Sequence, residues 1–191
     1  MVCDMKEIQI RKNDAGQRLD RFVGKAVPLL PESLLQKYIR LKRIKRNGKG
    51  AKRDVRLVEG DVLQLYINDE FFERPTEQNA WLKIATPRLD IVYEDENILL
   101  ADKKPGVLCH SAGEWSWDTL ISNIQAYLRQ TGQWDPKAEN AFTPALCNRI
   151  DRNTGGIVIA AKNAEALRIL NDKIRDREIE IENFKPEEYW N

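Results

Sequence analysis

Asn148-Arg149-Ile150-Asp151-Arg152-Asn153-Thr154-Gly155-Gly156, followed by Ile157-Val158-Ile159-Ala160-Ala161-Lys162, is the stretch around which the chain is organised. The second part is a short apolar, β-branched run and predicts a buried strand. The first part is polar and ends in two glycines, which predicts a turn feeding that strand. Asp151 therefore stands in a charged loop at the mouth of a buried element, where a rigid backbone can aim a carboxylate at a ligand. The plain alternative is an Asp that only forms the turn.

Composition narrows the classes. The chain has 191 residues, 32% of them charged and 42% hydrophobic, which predicts a packed chain of one large or two small domains. Cys3, Cys109 and Cys147 make an odd number with no Cys-x-x-Cys spacing, which favours free thiols in a reducing, cytoplasmic compartment over a disulfide framework or a zinc site. His110 is the single histidine, which argues against a histidine-based metal cluster or a Ser-His triad. The charged N-terminus lacks the apolar core of a signal peptide, and no apolar run is long enough to span a bilayer. An aspartic-protease reading of Asn153-Thr154-Gly155 fails, because that motif needs Asp where Asn153 stands.

Upstream, residues 6–11 predict a short strand. Leu19, Phe22, Val23, Ala26 and Val27 fall at helical spacing, and Pro28 and Pro31 stop that helix. Ser33 is placed to cap a second helix carrying Leu34, Leu35, Tyr38 and Ile39. Asn47-Gly48 predicts a tight turn, and Val62 to Ile67 a closing strand. The charges here are one-sided. Lys37, Arg40, Lys42, Arg43, Lys45, Arg46, Lys49, Lys52, Arg53 and Arg56 share their span with Asp54 as its only acid. Solvated faces usually mix signs; a nearly pure cationic stripe repels itself and gains affinity for a polyanion, phosphate backbone foremost. Residues 69–88 hold no period and predict a connector, with Phe71, Phe72 and Trp81 available to pack on a neighbour.

From Leu89 a second domain is expected. Ile91-Val92-Tyr93 and Ile98 to Lys103 predict strands, Lys104-Pro105-Gly106 a tight turn, and Val107-Leu108-Cys109-His110 a third strand. Asp118 or Thr119 caps a helix carrying Leu120, Ile121, Ile124, Tyr127 and Leu128. Trp134 in the following loop reads as a core anchor ahead of a stacking platform. Asn163 caps a last helix with Ala164, Leu167, Leu170 and Ile174 on one face.

These residues carry a resemblance. Asn148 to Gly156, with an apolar strand and Ala161-Lys162 behind it, resembles the central motif of the RluA-type pseudouridine synthases, His-Arg-Leu-Asp-x-x-Thr-Ser-Gly. Arg149, Asp151, Thr154 and Gly156 match; Asn148 stands for His and Gly155 for Ser. The strand, Lys-Pro-Gly and His110 arrangement is similar to the same family at the expected distance upstream. Roughly residues 17–67, with a helix-turn-helix, Ile44 to Lys49 and a late Glu59-Gly60-Asp61, resemble an S4-type RNA-binding domain.

The resemblance implies an α+β chain: an S4-like domain over 1–68, a connector over 69–88, and the N-terminal part of a mixed, mainly antiparallel synthase domain over 89–191. It implies isomerisation of uridine to pseudouridine in structured RNA, ribosomal RNA foremost, without cofactor, metal or membrane. The uridine N1–C1′ bond breaks, the base turns, and it rejoins through C5. Asp151 is the implied catalytic carboxylate, as nucleophile or base. The target uridine leaves its stack, and Arg149 matches the position that fills the gap. Arg149 and Arg152, with Lys37, Arg40, Lys42, Arg43, Lys45, Arg46 and Lys49, are the implied RNA contacts. The plain alternative for Arg149 is an ion pair to Asp151.

After Ile179-Glu180 the family continues Lys-x-Tyr into a strand, whereas Ile181 to Asn191 carries Pro186 and an acidic cluster. Nothing there matches the family's active-site Tyr, and Tyr189 is not assigned to it. A truncated or divergent synthase acting only as an RNA-binding protein is thus the alternative function, and a protein-interaction fragment the third reading.

Overall fold

The computed structural model describes residues 5–111, 116–139 and 142–180 and the backbone of 183–184. It divides into two compact units, residues 1–85 and 86–191.

In the first unit, β1 (Lys6–Gln9) is followed by α1 (Leu19–Ala26), α2 (Glu32–Arg40), β2 (Ile44–Arg46), β3 (Lys49–Gly50) and β4 (Val62–Leu65). The strands form one antiparallel sheet in the order β1-β4-β2-β3. Helical spacing brings Leu19, Phe22 and Val23 of α1 and Leu35, Tyr38 and Ile39 of α2 into one core with Ile44, Leu63 and Leu65. The second helix begins one residue before Ser33: Pro31 occupies the capping position, with its fixed φ of −60° and no side-chain cap. Asn47 and Gly48 both take positive φ, 51° and 78°, as a two-residue hairpin turn requires.

The expected connector is not a linker over most of its length. Residues 69–72 and 80–83 form short 3-10 turns, and Phe71 enters the first core at 7% exposure. Leu29 N donates to Phe71 O at 3.2 Å and Lys83 Nζ to Pro28 O at 2.9 Å. The packing of Phe71 and Phe72 on the first core is what their availability in the sequence leads one to expect; the 3-10 turns and the Lys83 bond have no periodic signal.

The second unit contains β5 (Ile91–Glu94), β6 (Ile98–Lys103), α3 (Leu120–Gln130), β7 (Ala145–Leu146), β8 (Gly155–Ala161), α4 (Ala164–Arg175) and β9 (Asn183–Phe184). Its sheet runs β5-β6-β8-β7, and β9 also pairs with β8; every pairing among the described residues is antiparallel. Residues 107–110 are irregular instead of a third strand. Their carbonyls are taken by the start of α3, Leu120 N to Leu108 O at 2.7 Å and Ile121 N to Cys109 O at 3.2 Å. Thr119, with Ser122, caps α3 through a reciprocal pair of bonds, and Asn163 caps α4 through Ala166 N. Eight of the 11 residues of α3 are buried, whereas α4 buries only Ala166. Trp134 is a core residue at 5% exposure. Gly155 and Gly156 lie within β8 and not in the turn before it. The expectations for Ile181, Glu182 and Lys185 to Asn191, Tyr189 included, fall outside the described residues. No helix among the described residues is long and apolar enough to cross a membrane.

At the far end of β8, Lys162 Nζ reaches Glu94 Oε1 at 2.9 Å, the Asp95 carbonyl and Gln133 Oε1, and Tyr127 OH donates to Glu94 Oε2 at 2.8 Å. Burial alone would raise the Glu94 carboxyl, but the bonds from Lys162 and Tyr127 outweigh it and hold it below its ordinary value. Its folded pKa is thus lower than its unfolded one. The stability it contributes is full above the unfolded value of 4.5 and is lost as pH falls through the folded one. Lys162→Met, which strands a carboxylate with 20% of its side chain exposed, is expected to cost about 3 kcal/mol at neutral pH and to flatten the acid limb of the stability curve. Urea unfolding between pH 3 and 7 measures both; an unchanged acid limb would refute the pairing as its cause.

Candidate active site

The chain leaves the sheet at Cys147, whose N–H makes a last strand-like bond to Ile159 O at 2.7 Å. Beyond it Arg149 is exposed, Ile150 is buried at 9%, and Asp151, Arg152 and Asn153 are exposed. Ile150 is therefore the anchor of the segment, with Arg149 and Asp151 outward on either side of it, as a two-residue period demands. Thr154 N closes the turn on Asp151 O at 3.1 Å, and the Cys109 thiol donates to Ile150 O at 3.5 Å. Neither the Asp151 carboxylate nor the Arg149 guanidinium has a hydrogen-bond or ion-pair partner among the described residues, so the ion pair between them is not formed.

The turn is held from below by Lys103. The sequence pattern sets this residue at the end of a strand and assigns it no role. It is 1% exposed, and its ammonium donates to Val107 O at 2.9 Å, Arg152 O at 3.1 Å and Lys104 O at 3.2 Å. Gly106 N also donates to Arg152 O, at 2.7 Å, and Arg152 Nε returns to Gly106 O at 3.2 Å. Gly106 stands at φ 93°, open to glycine and strained for other residues. The Lys-Pro-Gly turn and the Asp151 turn are thus one bonded unit. Burial lowers the Lys103 pKa, while Cys109 and the negative charge of Asp151 act in the opposite sense. The signal was present in the sequence: alternation along β6 sets Lys103 on the same side as Leu99 and Ala101, which are fully buried.

This arrangement can hold an unencumbered carboxylate on a rigid turn, with two exposed arginines beside it to meet an anionic ligand. His110 is half-buried, and Cys147, half-buried, has its thiol pushed up to about 11 by burial. Neither thiol is disulfide-bonded. Among the described residues no three His, Cys, Asp or Glu side chains converge as a metal site would need.

In the first unit, Lys37, Arg40, Lys42 and Lys49 are exposed. Lys42 takes the left-handed conformation at the end of α2, φ 56°, a position that usually falls to glycine. Arg43 lies over the Tyr38 ring at 4.3 Å and Lys45 over Tyr66 at 5.1 Å, so both are partly held by the fold. Arg46 pairs with buried Asp61 at 2.7 Å, and its charge is largely spent there. Lys52, Arg53 and Arg56, left out of the implied contacts, are exposed as well. Arg46, Lys49 and Lys52 border an open groove of about 410 Å³ that also takes in Asp54.

Residues 97–182 match the family model described as RNA pseudouridylate synthase, a span that contains Lys103, Asn148 and Asp151. The chain is 31% identical over 172 residues to an uncharacterized RNA pseudouridine synthase of Mycoplasma genitalium, covering 89% of this chain and 52% of that protein. It is 27% identical over 174 residues to the ribosomal large subunit pseudouridine synthase C of Escherichia coli, covering 91% of this chain and 51% of that protein. The chain therefore spans about half the length of the curated relatives it matches. A solved pseudouridylate synthase aligns over 80% of this chain and 51% of its own at 19% identity and a TM-score of 0.24, too loose an overlap to bear on the fold.

Proposed function

We propose that this chain is an RluA-type RNA pseudouridine synthase that isomerises uridine in structured RNA, ribosomal RNA foremost, from a cytoplasmic compartment. The observation that carries the reading is the Asp151 carboxylate: exposed, without a partner among the described residues, and fixed on a turn that Lys103 and Gly106 clamp, within the span that matches the family model. Cleavage of the N1–C1′ bond needs an ionised carboxylate at the sugar, as nucleophile or base. Reaching the sugar requires the uridine to leave its stack, and Arg149, outward beside Asp151, is suited to take the vacated place. Arg152 keeps its backbone in the clamp while its charge favours nearby phosphate. The S4-like first unit supplies affinity through Lys37, Arg40, Lys42 and Lys49, with Arg43 and Lys45 more constrained.

The test is tritium release from 5-tritiated uridine in ribosomal RNA, which follows the exchange of C1′ attachment from N1 to C5. Release that is lost in Asp151→Ala supports the reading; no release with RNA bound favours the RNA-binding protein; no RNA retained favours the interaction fragment. Affinity itself is expected to be salt-dependent. Four exposed cations on phosphate predict a fall of about 100-fold between 50 and 200 mM salt. Neutralising Lys37, Arg40, Lys42 and Lys49 together should flatten that slope in a filter-binding titration, and an unchanged slope would remove the first unit from the RNA interface.

A further inference from the structure

We propose that Asn148 is a positioning residue: its carboxamide stands in for a strand along β8 so that the main chain is free to carry Asp151 out of the sheet. This rests on the reading of Asp151 as the reacting carboxylate.

The outer edge of β8 is served in two pieces. The strand β7 pairs with Ala160 and Ala161, and β9 with Gly155 and Gly156. Between them the Ile157 carbonyl and the Ile159 N–H face outward, and no strand among the described residues lies opposite them. Asn148 fills the gap. Its Oδ1 accepts from Ile159 N at 2.8 Å and its Nδ2 donates to Ile157 O at 3.1 Å. The assignment of the two amide ends is forced, because a backbone N–H only donates and a carbonyl only accepts.

The consequence lies in what the backbone is spared. Had the main chain kept pairing past Cys147, residues 149–151 would lie along β8 as strand residues. Instead the Ile150 carbonyl meets the Cys109 thiol and the Asp151 carbonyl closes the turn to Thr154. Leaving the β8 groups bare would cost stability in a half-buried edge. A carboxamide resolves this because donor and acceptor sit side by side on one planar end. A carboxylate lacks the donor, and the two nitrogens of an imidazole diverge, so one of them misses β8. Asn148 is also the place where this chain departs from the resembling motif, which has His there.

The experiment uses the full chain with Asn148→Asp, Asn148→His and Asn148→Gln. Asn148→Asp is expected to lower kcat for tritium release by about 100-fold while KM for RNA stays within about threefold, the signature of a displaced reacting group. Asn148→Gln, keeping the carboxamide on a longer stem, is expected to recover most of kcat, and Asn148→His to fall between. Amide hydrogen exchange at Ile159 and Thr154 is read in parallel and should quicken about tenfold in Asn148→Asp, with the β6–β8 ladder unchanged. Wild-type kcat in Asn148→Asp, or a loss that tracks global unfolding in all three variants, overturns the proposal. If Asn148→Asp does not fold, Asn148→His is read by the same criteria. If the wild type releases no tritium, the functional reading fails, and exchange at Thr154 alone decides whether Asn148 holds the turn.

Discussion

Asp151→Ala is expected to abolish tritium release and to leave the protein as stable as before. The two halves of that expectation have separate causes. The carboxylate is exposed and makes no hydrogen bond or ion pair with the described residues, so its removal exposes no buried partner. A substitution of that kind changes stability by no more than about 0.5 kcal/mol. Activity is another matter: on the proposed reading Asp151 is the group that reacts at the sugar, which its surroundings cannot replace, and the loss should reach roughly three to four orders of magnitude. RNA affinity should hold or rise slightly, since a negative charge is removed beside phosphate. Single-turnover rates, thermal unfolding and filter binding on the same preparation separate these effects. Isomerisation within tenfold of wild type would remove Asp151 from the chemistry.

Lys103→Met is expected to do the reverse in part, lowering stability and activity together. The substitution withdraws three N–H donors from a site that is 1% exposed. The Arg152 carbonyl keeps Gly106 N as a donor and the Lys104 carbonyl keeps Val107 N, at 3.3 Å, so it is Val107 O that is left without the ammonium. One acceptor left bare costs about 1–3 kcal/mol. Against this stands relief of the desolvation that lowers the Lys103 pKa. The methionine stem restores packing but no donor, and the balance should be a net loss of about 2 kcal/mol in the second unit. Because the same bonds join the Lys-Pro-Gly turn to the Asp151 turn, kcat is expected to fall by about 100-fold. Denaturant unfolding together with kcat decides it. A variant that is as stable and as active as wild type would show that the clamp is dispensable.

Much of this molecule is written locally. Leu19, Phe22 and Val23 at helical spacing, the Asn47-Gly48 hairpin, the strand from Ile98 to Lys103 and the capping roles of Thr119 and Asn163 all depend on residues within one or two turns of each other. The same holds for Asp151, whose polar neighbours and following apolar run put it at the mouth of a strand. Where local signals were weak they misled. Val107 to His110 has the composition of a strand, yet the Leu108 and Cys109 carbonyls are claimed by the start of α3 and the Val107 carbonyl by Lys103. Residues 69–85 have no period, so their 3-10 turns could not be read, although the packing of Phe71 on a neighbour could. Leu167, Leu170 and Ile174 fall on one face of α4 as spaced, but none is fully buried.

What the amino-acid order determined alone, then, was most of the longer helices and strands, the cationic stripe and the loop that holds the carboxylate. What only the tertiary structure decided was which polar groups serve the site. Lys103 finds Arg152 across 49 residues, Asn148 finds the unclaimed edge of β8, and Arg46 is drawn from the stripe to Asp61. The physical reason is that a backbone conformation is set by its own few residues, whereas a buried donor or acceptor must be satisfied by whatever the fold brings to it.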